Sequence, residues 1–418
     1  MHRRLISALA IAALAAAGCS TSAPGSQGAG SQSDATRGVT ADSVKVGGLI
    51  VKTSSYGASN AATEIGAKAR FDRANAEGGV NGRKIEFVGA EDDGADQAKD
   101  IAAARKLVQQ KQVFAVVPVS TFMFAGAKFL QQQNVPYFGW GYSAPEWCGP
   151  EVAFSFDGCT GSTKPGPQSA GFFTSFVKAT GPAKGRTVAV IGHDDAVTKS
   201  VNKIAKASAT GLGFKVVSVQ NSVPQTSIPT DWSPYVNRLM TSNGDKAPDV
   251  IFSTMATPFN AGLFGALKDA GYKGTLLDGI SYSDSTLKNP QVRKAFEGAY
   301  VSAPIEPLAS TSAAAKQMRA DLEKATGKKN FEWSQDMGVG YATADVFLQI
   351  LKKAGKDLTV DSFLTAAQNI TVKSPYGGTV SFPADHTAPN GCQSLLQVKN
   401  GRWKLASPLV CKTFNFTG

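Results

Sequence analysis

Strand-like and helix-like segments alternate along nearly the whole chain, and this alternation restricts the fold more than any motif does. Val44, Val46 and Gly48 alternate with Lys45 and Gly47, and Leu49-Ile50-Val51 extends the run as a strand. After a polar loop, Lys52 to Gly57, the residues Ala62, Ile65 and Ala69 follow a helical spacing to Ala76, where Gly78-Gly79 stops it. Ile85 to Gly89 is a second strand. Asp96 is placed to cap a helix carrying Ile101, Ala104 and Val108 on one face. Val113 to Val119 is apolar at consecutive positions, as in a sheet covered on both sides. A helix and Val135-Pro-Tyr-Phe138 complete the run. The pattern restarts beyond the Gly/Pro/Ser-rich stretch 158–169, with strands at Thr187–Gly192, Phe214–Val219, Asp249–Thr254 and Thr275–Asp278. Helices near 313–325 and 335–353 follow, then short strands near 379–382 and 394–398. Repeated strand–helix–strand units predict an α/β protein with a parallel, doubly wound sheet and a second α/β lobe.

Composition narrows the function. The 418 residues are 42% hydrophobic and 18% charged, a globular balance long enough for two or three domains. The longest apolar run, Leu5 to Ala17, has 13 residues, against about 20 needed to span a bilayer, so the chain is not a channel. The formal charge of +11 comes from dispersed basic residues without a block of five or six, which implies a basic surface and no nucleic acid partner.

The leader has its own logic. Met1-His-Arg-Arg4, the apolar run, small residues at Ala16-Ala17-Gly18 and then Cys19 read as a signal peptide over 1–18. Leu14-Ala-Ala-Ala-Gly-Cys19 resembles the lipobox of bacterial lipoproteins, with Ala16 where Leu is usual. That resemblance implies lipid on Cys19 and a membrane anchor. The Ser/Thr/Gly/Ala/Gln stretch that follows makes 19–42 a flexible linker. The expected localisation is the cell envelope, lipid-anchored to the outer face of the cytoplasmic membrane, extracytoplasmic. Four further cysteines in an exported chain point to disulfides, and three pairings exist. Closeness in sequence favours Cys148 with Cys159 and Cys392 with Cys411. A four-cysteine zinc site needs ligands paired as CxxC, and none occurs.

The segment Gly78-Gly-Val-Asn-Gly-Arg-Lys-Ile-Glu-Phe-Val88, then Asp92-Asp93 and the helix from Asp96, resembles the first lobe of the branched-chain amino acid type of periplasmic binding protein. These are the type I substrate-binding lipoproteins of ABC importers. Val135-Pro-Tyr, Ser143-Ala-Pro-Glu146 and Gly265-Ala-Leu-Lys-Asp-Ala-Gly271 extend the resemblance over about 43–405. It implies two Rossmann-like lobes joined by a three-strand hinge, with crossings near 158–164, 302–306 and 373–377. Lobe 1 would comprise 43–160 plus 305–373, and lobe 2 161–304 plus 374–418. It further implies amino acid transport without a cofactor, a small-molecule ligand in the cleft, ABC permease subunits as partners, and a monomer.

Loops at strand ends should line that cleft. By the resemblance, Tyr56-Gly57 walls the pocket, Ser120 places a hydroxyl on a ligand carboxylate in the loop it shares with Thr121 and Phe122, and Ser143 supplies a hydroxyl. Gly141 turns a backbone carbonyl toward an amine, beside Tyr142. In the second lobe the family's acidic partner for an ammonium falls at Ile280, with Asp278 and Ser281 nearby. Its aromatic pair after Thr254 is replaced by Met255-Ala256-Thr257, and His193-Asp-Asp195 stands where Tyr-Gly is usual. A buried ammonium without an acceptor is costly. Together with Phe122, Phe124, Trp140, Tyr142 and Trp147, these departures point to a partly aromatic acid or amide as well as to an amino-acid-like solute.

No constellation supports catalysis: GxSxG, HExxH and Walker loops are absent, so the chain reads as a non-enzyme and as free of metal sites. Gly338-Val-Gly340-Tyr-Ala-Thr343 lies inside a helix and reads as packing. The trio Glu91-Asp92-Asp93 reads as a turn. The expectation is therefore a solute-binding protein delivering to an ABC importer. A ligand sensor of the same fold and, more remotely, an exported α/β enzyme are the alternatives.

Overall fold

The computed structural model describes residues 35–54, 60–383 and 386–418. The leader, Cys19 and Tyr56 lie outside the described residues. Strands β1 (Ser43–Ile50), β2 (Lys84–Asp92), β3 (Ala115–Ser120), β4 (Tyr137–Gly139) and β5 (Ala153–Ser155) form the first sheet, all parallel, in the order β2-β1-β3-β4-β5. Helices α1 (Ala62–Ala76), α2 (Gln97–Arg105), α3 (Ala127–Gln132) and α4 (Ala144–Trp147) connect them. Every residue of β3 is buried, as the unbroken apolar run requires of a strand covered on both faces. Asp96 caps α2 by accepting from Lys99 N at 2.9 Å. The acidic trio is consumed locally. Glu91 pairs with Lys106 and Lys111, Asp92 accepts from Lys52 N and Gly94 N, and Asp93 accepts from Ala95 N. The packed body begins before residue 43. Arg37 is buried and donates to Val113 O at 2.9 Å, so residues 35–42 of the expected linker lie on the first sheet.

The second half opens with β6 (Gly166–Ser169) and α5 (Gly171–Thr180). Its sheet holds β7 (Thr187–His193), β8 (Lys215–Val223), β9 (Val250–Ser253), β10 (Thr275–Asp278) and β11 (Tyr300–Ala303), mutually parallel. Helices α6 (Ala196–Gly211), α7 (Ser233–Met240), α8 (Thr257–Asp269), α9 (Asp284–Lys288) and α10 (Pro290–Phe296) intervene. The chain then leaves through α11 (Ala313–Thr326), α12 (Gln335–Ala354), α13 (Val360–Ala367) and the hairpin β12 (Ile370–Ser374) with β13 (Gly378–Phe382). It returns as β14 (Cys392–Lys399) and β15 (Arg402–Cys411), which add an antiparallel edge beside β11. The two large sheets are otherwise parallel, as expected; at this edge a tight hairpin joins β14 to β15. A last strand, β16 (Thr413–Phe416), pairs with β6.

Side chains show which half each returning element joins. Asp345 of α12 holds Arg70 of α1 at 2.9 Å, Phe347 meets Phe138 at 5.3 Å between ring centroids, and Phe382 meets Phe154 at 5.2 Å. Residues 374–383 therefore pack on the first half, and the third crossing falls at Thr387–Cys392 instead of near 373–377. There Asn390 N donates to Asp157 O at 2.9 Å and Cys159 N donates to Ala388 O at 3.2 Å, which ties this segment to the start of the expected first crossing. Cys148 and Cys159, and Cys392 and Cys411, stand at disulfide distance, 2.00 and 2.02 Å between sulfurs. Among the described residues no helix is long and apolar enough to cross a membrane.

Candidate functional site

The carboxyl ends of both sets of parallel strands face a common cavity of about 790 Å³. From the first half come Asn60 beyond β1, Phe122 beyond β3, Trp140 and Tyr142 beyond β4, and Asp157 beyond β5. From the second come His193 at the end of β7 and Asp195 beyond it, Thr254 and Ala256 beyond β9, and Gly279 to Ser283 beyond β10. The start of α12 closes one wall with Trp333, Gln335 and Asp336. This is where open α/β sheets bind ligands, because strands end there and helices begin.

Several expected site residues line the cavity: Phe122, Tyr142, Asp195 and Ser281. Trp140 joins Tyr142 edge-on at 5.7 Å. Other expected residues lie behind the wall. Ser120 is buried, and its hydroxyl accepts from Asn60 Nδ2 at 2.9 Å, so Asn60 stands between it and the cavity. Thr121 is buried, and its hydroxyl has no partner among the described residues. The Gly141 carbonyl does not await an amine, because Thr160 N and Oγ1 both donate to it, at 3.2 and 2.9 Å. A Cβ at Gly141 would fall 2.6 Å from Gly158 O, so this glycine permits a close chain crossing. Ser143 donates to Glu146, and Met255 is wholly buried core. Phe124 and Trp147 meet Tyr137 edge-on in the interior, at centroid distances of 5.1 and 5.2 Å.

Asp278 has no exposure and holds the loop after β10. It accepts from Ile280 N at 2.6 Å, Ser281 N at 2.7 Å, Ser281 Oγ at 2.6 Å and Asn260 Nδ2 at 2.5 Å. Asp195 caps α6 through Thr198 N and Oγ1. His193 is buried. Its Nδ1 faces Pro224 O at 3.2 Å and its Nε2 accepts from Ala256 N at 3.4 Å. Those partners define a neutral tautomer with the proton on Nδ1, and burial holds the ring below the usual imidazole range.

The residues that sequence reasoning missed are Trp333 and Gln335, both almost wholly buried in the wall. The indole Nε1 and the Gln335 Oε1 have no partner among the described residues. They follow a loop after α11 that carries no motif. The inner wall of Phe172, Phe173, Val201, Ile204 and Ala205 was also missed, because these residues read as ordinary core.

Burial pushes the carboxyls of Asp157, Asp278 and Asp336 up to about 6, and burial likewise raises Asp93 and Asp100. A carboxyl raised by folding is penalised above its folded value, and the penalty is relieved as pH falls toward its unfolded value. His193 acts oppositely, losing stability as pH falls below its unfolded value near 6.5. Several acids oppose one imidazole, so stability is expected to rise between pH 8 and pH 5. Melting curves across that range check this; a steady fall toward pH 5 would show that the acids stay ionised at low cost.

A model of the periplasmic binding protein family matches residues 43–402. No curated protein sequence matches the chain. Solved structures resemble it at low identity. A fatty acid ABC transporter substrate-binding protein from Thermomonospora curvata is 18% identical, covers 91% of this chain and 94% of its own, and superposes with a TM-score of 0.69. The branched-chain amino acid transporter substrate-binding protein LivJ from Streptococcus pneumoniae, in complex with isoleucine, is 17% identical over 89% of this chain and 100% of its own, at a TM-score of 0.67. A solute-binding protein of an ABC transporter from R. palustris, in complex with benzoate, is 16% identical over 88% and 98%, at a TM-score of 0.66. At these identities the likeness is one of fold.

Proposed function

The chain belongs to the periplasmic binding protein family, and from that premise we propose that it captures a small solute between its lobes and delivers it to the permease of an ABC importer. The carrying observation is the cavity itself, lined from both sheets at their strand ends and flanked by the interlobe crossings. Lobes joined by such crossings can rotate about them, and a ligand touching both favours the closed arrangement by its difference in affinity for the two states. Lipid on Cys19 would tether the body outside the cytoplasmic membrane, where a monomer meets the permease. The relatives' titles name a fatty acid, isoleucine and benzoate, so the fold accommodates chemically different solutes. Binding alone accounts for the polar groups of this wall. His193 has both nitrogens engaged by backbone groups.

Native mass spectrometry of the purified chain tests this reading, with small-angle scattering before and after ligand removal. A co-purifying small molecule and a more compact bound form are expected. Scattering and melting curves that stay unchanged across a broad metabolite panel, or turnover of a substrate, would overturn it.

A further inference from the structure

The cavity does not end at the cleft. Val197, Val201, Ile204, Ala205 and Ser208 line it from one face of α6, at helical spacings of three and four. At 1.5 Å per residue, this row runs for about 16 Å away from the strand ends. Phe172 and Phe173 of α5 line the same cavity. The arm is mostly apolar: Thr198 and Ser208 of α6 and Ser169 and Gln393 beside α5 are its polar members, and the Ser208 hydroxyl has no partner among the described residues. No amino-acid side chain is long enough to follow it.

The charges in the wall are one-sided. Asp157, Asp195, Glu332 and Asp336 line the cavity, and among the described lining residues none is Lys or Arg. An anionic head group would therefore meet acids and no countercharge, while the unpartnered Trp333 Nε1 and Gln335 Oε1 offer one donor and one acceptor in the same wall.

Resting on the solute-capture reading above, we propose that the ligand is elongated and largely apolar, with its body along α6 against Phe172 and Phe173 and an uncharged, hydrogen-bonding head in the cleft.

Calorimetric titration of the purified chain at pH 7 with butanamide, octanamide, octanoate, leucine and benzoate tests this. Four further buried methylenes strengthen binding by about two orders of magnitude if the arm receives them fully. Octanamide is expected to bind at least about tenfold tighter than butanamide and at least about tenfold tighter than octanoate. Ala205→Phe, which fills the arm, is expected to erase the difference between the two amides. Val201→Phe, at a half-buried position, serves the same purpose should the first variant fold poorly. Equal affinity for both amides, or tighter binding of octanoate, leucine or benzoate, would overturn the proposal and leave solute capture intact. Absence of any bound ligand, in this panel and in native mass spectrometry, would remove both.

Discussion

Gly340→Ala is expected to destabilise the protein by about 3 kcal/mol or more, although it replaces a helical glycine with the best helix former. The reason is the way α12 lies on α1. A Cβ at Gly340 would sit 2.0 Å from Thr63 O and 3.0 Å from Ala67 N; a Cβ at Gly66 would sit 1.8 Å from Met337 O. Each helix uses a glycine where the other's backbone passes. These obstacles are backbone atoms, so no rotamer change relieves them and the helices must separate. Separation would also strain the Arg70–Asp345 pair across the same contact, in which Asp345 is buried and Arg70 partly so. The gain in helix propensity is only about 1 kcal/mol. Gly265→Ala provides the control. It is also a helical glycine, but its Cβ would meet only Ala295 Cβ at 3.8 Å, so this substitution is expected to stabilise by up to about 1 kcal/mol. Chemical denaturation of the three proteins measures the contrast. If Gly340→Ala matches Gly265→Ala, the helices do not approach as closely as the backbone contacts require.

That contact illustrates what sequence can and cannot reveal. The motif Gly338-Val-Gly340 was readable as helix packing because its surroundings are helical, but the partner glycine in α1 was not. It lies almost three hundred residues away and has no pattern of its own. Strand and helix order was readable because burial on both faces of a parallel sheet demands apolar runs at fixed periods. The antiparallel edge of β14 and β15 was not, because a hairpin strand and a crossover strand differ in connection, not in local residues. In the site, Phe122, Tyr142, Asp195 and Ser281 were found from their place after strands. Ser120 ends a strand and Gly141 follows one, but Asn60 and Thr160 occupy their polar groups. Which hydroxyl or carbonyl stays free depends on neighbours that only folding supplies.

Asp278→Ala is expected to weaken ligand binding at least about tenfold and to lower stability by about 3 kcal/mol. The carboxylate does not line the cavity; it acts by holding Ile280 and Ser281, which do. Removing it leaves two backbone N–H groups, a serine hydroxyl and the Asn260 amide without their acceptor in a fully buried place. Asn260 cannot easily turn to compensate. Its Nδ2 also donates to Met255 O at 2.7 Å, and its Oδ1 accepts from Ser253 Oγ at 2.5 Å. Asp278→Asn separates shape from charge. One amide oxygen can still accept from the two N–H groups at Oδ1, but the new NH₂ would then face the Asn260 NH₂, donor against donor. Its loss of stability should lie between those of the parent and the alanine variant. Removing one raised carboxyl should also flatten the rise in melting temperature toward pH 5. Asp195→Ala, across the cleft, removes a helix cap and one acid of the cavity wall but leaves no buried donor cluster behind, and should cost only about 1 kcal/mol of stability. Denaturant unfolding and calorimetric titration of these variants with the co-purified solute measure the order. If Asp278→Ala keeps both its stability and its affinity, the loop after β10 holds its own shape without the carboxylate.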